Sequence, residues 1–161
     1  MSPALAASAA LFGLCAVLDV AVGLFVPFAI RANDAGQPGP PGLFHPRPDK
    51  ALFGSEPLHE RDAPRVRTLG IMMWDWLSGT LVFAGILELG VVWFGLARGE
   101  RWAYLILIFA NLALVSYHAL IVGRYVRAGA KLRLLEIPPL MWVPTICVPI
   151  AAVLGWIALY A

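Results

Sequence analysis

Residues 71–122 read IMMWDWLSGTLVFAGILELGVVWFGLARGERWAYLILIFANLALVSYHALIV, and this stretch decides the fold. Two apolar runs, Ile71 to Leu96 and Trp102 to Val122, are separated only by Ala97-Arg98-Gly99-Glu100-Arg101. At about 1.5 Å of rise per residue, each run is long enough as a helix to cross about 30 Å of hydrocarbon. A link this short makes the two helices antiparallel neighbours.

Two more runs flank this hairpin. The first, Ala4 to Ile30, is interrupted by Ser8 and Asp19, and the last is Ile137 to Tyr160. A secretory signal peptide carries positive charge before a short apolar core, whereas here nothing is basic before Arg31 and an aspartate sits mid-run. The first run is therefore read as an uncleaved helix. Composition agrees: 60% of the 161 residues are apolar and 14% are charged, against about 25% charged in soluble domains. The predicted fold class is all-α, an integral membrane four-helix bundle with one long loop between helices 1 and 2. Its helices run at about 4–30, 71–96, 102–122 and 137–160, and residues 1–161 form a single transmembrane domain.

The long loop, about 31–70, opens with Asn33-Asp34-Ala35-Gly36-Gln37-Pro38-Gly39-Pro40-Pro41-Gly42, a strap of residues that break both helix and strand. Farther on, Leu52, Phe53 and Leu58 stand among charges between Asp49 and Arg67, a pattern that suits either a short interfacial helix or a solvated loop. Lys and Arg in the loops set orientation in a membrane. Arg31, Arg47, Lys50, Arg61, Arg65 and Arg67 lie in the long loop, Arg124, Arg127, Lys131 and Arg133 in the loop 123–136, and only Arg98 and Arg101 on the other side. This asymmetry predicts a multi-pass protein of the cell membrane with both termini outside and loops 31–70 and 123–136 cytoplasmic. A net charge of +2 with no dense basic run gives no footprint for nucleic acid.

Asp19, Asp75 and Glu88 are carboxylates within apolar runs, where Asp at a helix centre costs about 2.5–3.5 kcal/mol on insertion scales. Asp19 shares a four-residue stripe with Cys15, Gly23 and Pro27, small residues that let a neighbouring helix come close, so it is expected to face protein. Glu88 is expected nearer the opposite surface, snorkelling or paired with Arg98 or Arg101. Asp75 is counted about four residues inside helix 2 from the long-loop side, a depth similar to that of His118 in helix 3. A carboxylate that meets a histidine makes either a structural ion pair or an acid–base pair. Trp74 and Trp76 flank Asp75 as interfacial anchors.

In helix 3, Tyr104, Asn111, His118 and Tyr125 recur every seven residues and so line one stripe. Two readings fit it: interhelical hydrogen bonding, or the wall of a polar cavity. Pro144 and Pro149 in helix 4 remove hydrogen bonds to the carbonyls of Leu140 and Thr145, and Pro27 does the same to Gly23. Irregular backbone of this kind is tolerated where it is buried or lines a cavity. Asp75, His118, Asp19, Asn111, Tyr117, Trp74 and Trp142 together form the candidate set for ligand binding or proton relay.

No metal, cofactor or catalytic nucleophile is expected. Cys15 and Cys147 lie in separate helices without CxxC spacing and read as small core residues. His45 and His59, among Asp49, Glu56, Glu60 and Asp62, lack a ligand spacing, and one intramembrane histidine excludes a bis-histidine haem within one chain. No phosphate-binding loop, GxSxG elbow or HExxH is present.

The segments Asp62-Ala63-Pro64-Arg65 and Arg67-Thr68-Leu69-Gly70 before helix 2, with Ala97-Arg98-Gly99-Glu100-Arg101-Trp102-Ala103 at the next turn, resemble small bacterial four-helix membrane proteins, including DoxX-like ones. That resemblance implies a bacterial inner-membrane location and carries no catalytic motif. The chain is also similar to the EXPERA group of sterol-binding and sterol-isomerase-related proteins in having acids in helices 1 and 2, here Asp19 and Asp75, around a hydrophobic pocket. It departs from that group in its inferred orientation and at Pro138-Pro139-Leu140-Met141-Trp142. Two function classes follow. The first is a binding protein, whose bundle holds a lipid, another hydrophobic small molecule, a partner membrane subunit or a second copy. The alternative is an enzyme or proton-coupled carrier using Asp75 and His118. A single acid–histidine pair without a nucleophile or cofactor motif favours the first.

Overall fold

A computed structural model of the chain describes residues 1–34, 64–127 and 142–161, with the side chains at 29–34, 64–71, 73, 118, 121, 122 and 125 outside that description. It is all-helical. Four long helices follow in order, α1 (Pro3–Asp34), α2 (Pro64–Phe94), α3 (Arg101–Arg127) and α4 (Trp142–Tyr160), with a short 3-10 turn at Leu96–Arg98. Three segments are long and apolar enough to cross a membrane: Pro3–Phe28, Trp74–Arg98 and Trp142–Tyr160. In α3 the apolar segment is the shorter Arg101–Tyr117.

The helices begin where the local chemistry lets them. Pro3 and Pro64 open α1 and α2, positions at which a missing N–H costs nothing. Ser2 caps α1, its Oγ accepting a hydrogen bond from the Leu5 N–H at 3.2 Å. Both helices outrun the apolar stretches that predict them: residues 31–34 and 64–70, expected in the long loop, are helical, and the connection between α1 and α2 is 35–63. Backbone hydrogen bonding continues into polar sequence once a helix is nucleated, and hydropathy does not register that. The candidate interfacial segment therefore ends differently from the expectation, since 64–67 belong to α2, while 49–63 lie outside the described residues. The described part of α4 starts at Trp142, so Pro144 falls in its first turn and only Pro149 lies inside it.

The α2–α3 corner is built from backbone. Gly99 adopts a left-handed conformation with φ 82°, which a side chain would strain, and its N–H bonds the Leu96 carbonyl at 2.9 Å. Gly95 sits against Ala103 and Trp102, so that the two helices leave the corner in close contact.

Helix α1 is the hub, packing along both α2 and α4. Its contact with α2 is reciprocal. A Cβ on Gly23 would lie 2.6 Å from the Ser78 carbonyl oxygen and 2.7 Å from Val82 Cγ2. A Cβ on Gly85 would lie 2.6 Å from the Ala16 carbonyl oxygen and 2.7 Å from Val20 Cγ2. Ala16-Val20-Gly23 and Ser78-Val82-Gly85 thus share one spacing, and each presents its glycine to the small residue and valine of the other. This makes the pair antiparallel, with a local two-fold relation. Against α4, Ser8 Oγ donates to the Ala151 carbonyl at 2.7 Å, and a Cβ on Gly155 would meet Tyr104 and Ser8.

The buried core lies at one end. Leu5, Ala9 and Phe12 of α1 meet Val92 and Leu96, Ala103, Tyr104 and Leu107 of α3, and Ala151 of α4. Among the described residues, α3 enters the buried core through its first two turns, and residues 112–117 are all exposed. Six consecutive exposed positions go more than once round a helix, so this stretch presents no buried face. The seam yields a direct test. Gly23→Ala and Gly85→Ala should each destabilise the folded protein by about 1–3 kcal/mol through overpacking against backbone. Gly79→Ala, whose Cβ meets nothing within 4 Å, should not. Unfolding in mild detergent followed by circular dichroism measures all three, and equal effects would remove the seam from the account.

Candidate functional site

The sequence candidates divide between the two ends of this bundle. At the closed end, the first member of the helix-3 stripe is a bonding residue: Tyr104 is buried and its hydroxyl donates to the Ala152 carbonyl at 2.7 Å. Asn111, the second, is half-buried but turns back on its own helix, its Nδ2 donating to the Leu107 carbonyl at 2.9 Å. Regular spacing put the two on one face, yet only Tyr104 reaches another helix. The third and fourth, His118 and Tyr125, lie in α3 with side chains outside the described residues.

At the open end stands Asp75, half-buried in α2 and engaged in a polar or electrostatic contact. It occupies the first turn of the apolar span that begins at Trp74. Trp74 is half-buried, whereas Trp76 is 82% exposed. Tyr117 of α3 is 63% exposed, and Trp142 at the start of α4 is also exposed. Counted from the Gly95–Ala103 contact, Tyr117 comes opposite Leu81, about 9 Å along the axis from Asp75.

The hairpin register bears on the acid–histidine pair. Counted from the Gly95–Ala103 contact at the corner, Asp75 comes opposite Gly123 and His118 opposite Thr80. Five residues of offset amount to about 7.5 Å along the helix axis. Thr80 itself bonds its own helix, through Oγ1 to the Trp76 carbonyl at 3.0 Å.

Mid-bundle, the structure brings together residues that sequence reading kept apart. Asp19 of α1 and Glu88 of α2 lie within electrostatic reach of each other and of Cys15. The expected partners of Glu88 are engaged elsewhere: the Arg98 guanidinium lies 5.7 Å from the Phe94 ring centroid, and that of Arg101 lies 4.9 Å from the Tyr160 centroid. Position along α2 says nothing about which residues of α1 come level with Asp75 or Glu88. Among the described residues no group of three or more His, Cys, Asp or Glu side chains is arranged to hold a metal ion. His45 and His59 lie outside them.

Ser78 is buried at 2% exposure, and its Oγ has no hydrogen-bond partner among the described residues. It lies in the seam against Gly23, where close helix approach constrains the hydroxyl.

No protein-family model, curated protein or solved structure matches this chain. What it does is read from its own residues. If Asp75 and His118 act as separate groups, Asp75→Asn and His118→Gln will change thermal stability additively, to within about 0.3–0.5 kcal/mol. A larger coupling in that double-mutant cycle would restore the acid–base pair.

Proposed function

We propose that the chain is an integral protein of the cell membrane that holds a lipid or other hydrophobic small molecule at the open end of its bundle, beside Asp75. The observation that carries this reading is the uneven packing. One end is closed by Phe12, Leu96, Tyr104 and Leu107, while α3 is exposed over residues 112–117. An apolar surface with one convergent polar group is the usual form of a hydrophobic-ligand site. Asp75 supplies the polar group, and the adjacent Trp74 supplies an apolar face with a polar edge.

A membrane location is supported by three segments long and apolar enough to cross a bilayer. The apolar side chains exposed along α1 to α4, among them Phe28, Phe83 and Trp93, then face acyl chains. The distribution of Lys and Arg supports cytoplasmic placement of the two loops on the Asp75 side, with both termini outside. A partner subunit or a second copy would be the competing occupant of the free face of α3. Acid–base chemistry at Asp75 and His118 has less support, since the hairpin register offsets the two residues.

Two outcomes test the reading. Native mass spectrometry of the protein released from nanodiscs should show a retained small molecule that Asp75→Asn loses. Retention unaltered in that variant places the site elsewhere, and a dimer mass without added ligand favours the second copy. For orientation, Lys131→Cys in a background lacking Cys15 and Cys147 should resist impermeant maleimides added outside intact cells. Ready labelling reverses the topology.

A further inference from the structure

The two cysteines come together. They are 132 positions apart in the chain, yet Cys15 of α1 and Cys147 of α4 lie within interaction reach of each other. The packing register supports this independently. Ser8 faces Ala151 and Gly155, which sets α1 against α4. Two turns along α1 from Ser8, about 10 Å, lies Cys15, and Cys147 lies about 6–12 Å back along α4 from those two residues. Antiparallel helices in that register bring the two cysteines level.

The surroundings of the two thiols differ. Cys15 is buried, whereas Cys147 is half-buried. Asp19 and Glu88 are within electrostatic reach of Cys15. Cys147 is thus the more accessible thiol, and Cys15 the enclosed one with carboxylates nearby.

We propose that Cys15 and Cys147 are a hydroperoxide-reactive dithiol that closes to a disulfide between α1 and α4. The Cys147 sulfur attacks the outer oxygen of a hydroperoxide, the O–O bond breaks, and the products are Cys147 sulfenic acid and an alcohol. The Cys15 sulfur then attacks the Cys147 sulfur and displaces hydroxide, which leaves as water with the Cys15 proton; Asp19 or Glu88 is placed to carry that proton. Overall, two thiols and one hydroperoxide give one disulfide, one alcohol and one water. Each sulfur loses one electron, and the two peroxide oxygens accept them. The disulfide ties the hub helix to α4 at mid-bundle, about two turns of α1 beyond the contact that Ser8 makes with Ala151. Depth favours an apolar hydroperoxide dissolved in the bilayer, although hydrogen peroxide offers the same O–O bond from water.

The test uses the full chain in nanodiscs, with cumene hydroperoxide as the apolar oxidant and hydrogen peroxide as the aqueous one. After quenching with N-ethylmaleimide, unfolding and trypsin digestion, the peptides covering 1–31 and 134–161 should be recovered mainly as one linked species that dithiothreitol separates. In Cys15→Ser, dimedone should trap a sulfenic acid on Cys147, and no link should form. Linkage with cumene hydroperoxide at lower doses than hydrogen peroxide supports the bilayer source, and the reverse order supports the dithiol with a water-borne oxidant. Four results overturn the proposal: both thiols still alkylated after either oxidant, Cys147 oxidised beyond sulfenic acid without linkage, a Cys147 link between two chains, or dimedone labelling of Cys15 in place of Cys147.

Discussion

Everything else in this structure depends on how closely α1 and α2 approach. At Gly23 and again at Gly85 the missing side chain lets one backbone rest on a carbonyl of the other, a contact that a methyl group would fill at 2.6 Å. Within a bilayer, helices gain nothing from withdrawing apolar surface from water, so close backbone approach and polar bonds across helices must hold them together. The reciprocal arrangement of Ala16-Val20-Gly23 and Ser78-Val82-Gly85 supplies the first. Ser8 to Ala151 and Tyr104 to Ala152 supply the second.

These contacts distribute the bundle unevenly. Because α1 engages α2 through the seam and α4 through Ser8, three helices are held along much of their length, while α3 is held at its start by Ala103, Tyr104 and Leu107. The corner at Gly95 and Gly99 directs α3 into that core, and beyond Leu107 the packed contacts run out. The functional reading follows from this asymmetry. Asp75 sits toward the end beyond the exposed stretch 112–117 of α3, and Asp19, Glu88 and the cysteines sit where α1, α2 and α4 remain together.

Much of this was legible in the residues. Apolar runs located four helices, the five-residue link at 97–101 made α2 and α3 a hairpin, and the Cys15-Asp19-Gly23 stripe marked a face of α1 suited to close approach. Helix ends were less legible, since α1 continues through Asp34 and α2 starts at Pro64 in sequence that hydropathy assigns to a loop. Register between helices was not legible at all. Phase on a single helix cannot reveal that Glu88 comes near Asp19, that Cys147 meets Cys15, or that His118 falls opposite Thr80, because each follows from backbone contacts at glycines far away in the chain. The Tyr104-Asn111-His118-Tyr125 repeat shows the same limit: the spacing defined a stripe, but of its two described side chains Tyr104 bonds another helix and Asn111 bonds its own.

The central claim is that α3 joins the buried core at its start and is exposed all round its circumference over residues 112–117. Spin labels placed one at a time from Ala103 to Tyr117, in protein reconstituted into bilayers, report local collision with dissolved oxygen. The account predicts accessibility that rises and falls with the helical repeat through residue 110, with minima at 103, 104 and 107, and uniformly high accessibility from 112 to 117. A periodic pattern that continues to Tyr117 with a minimum at Leu114 would mean that α3 is packed along its whole length, and would contradict the account.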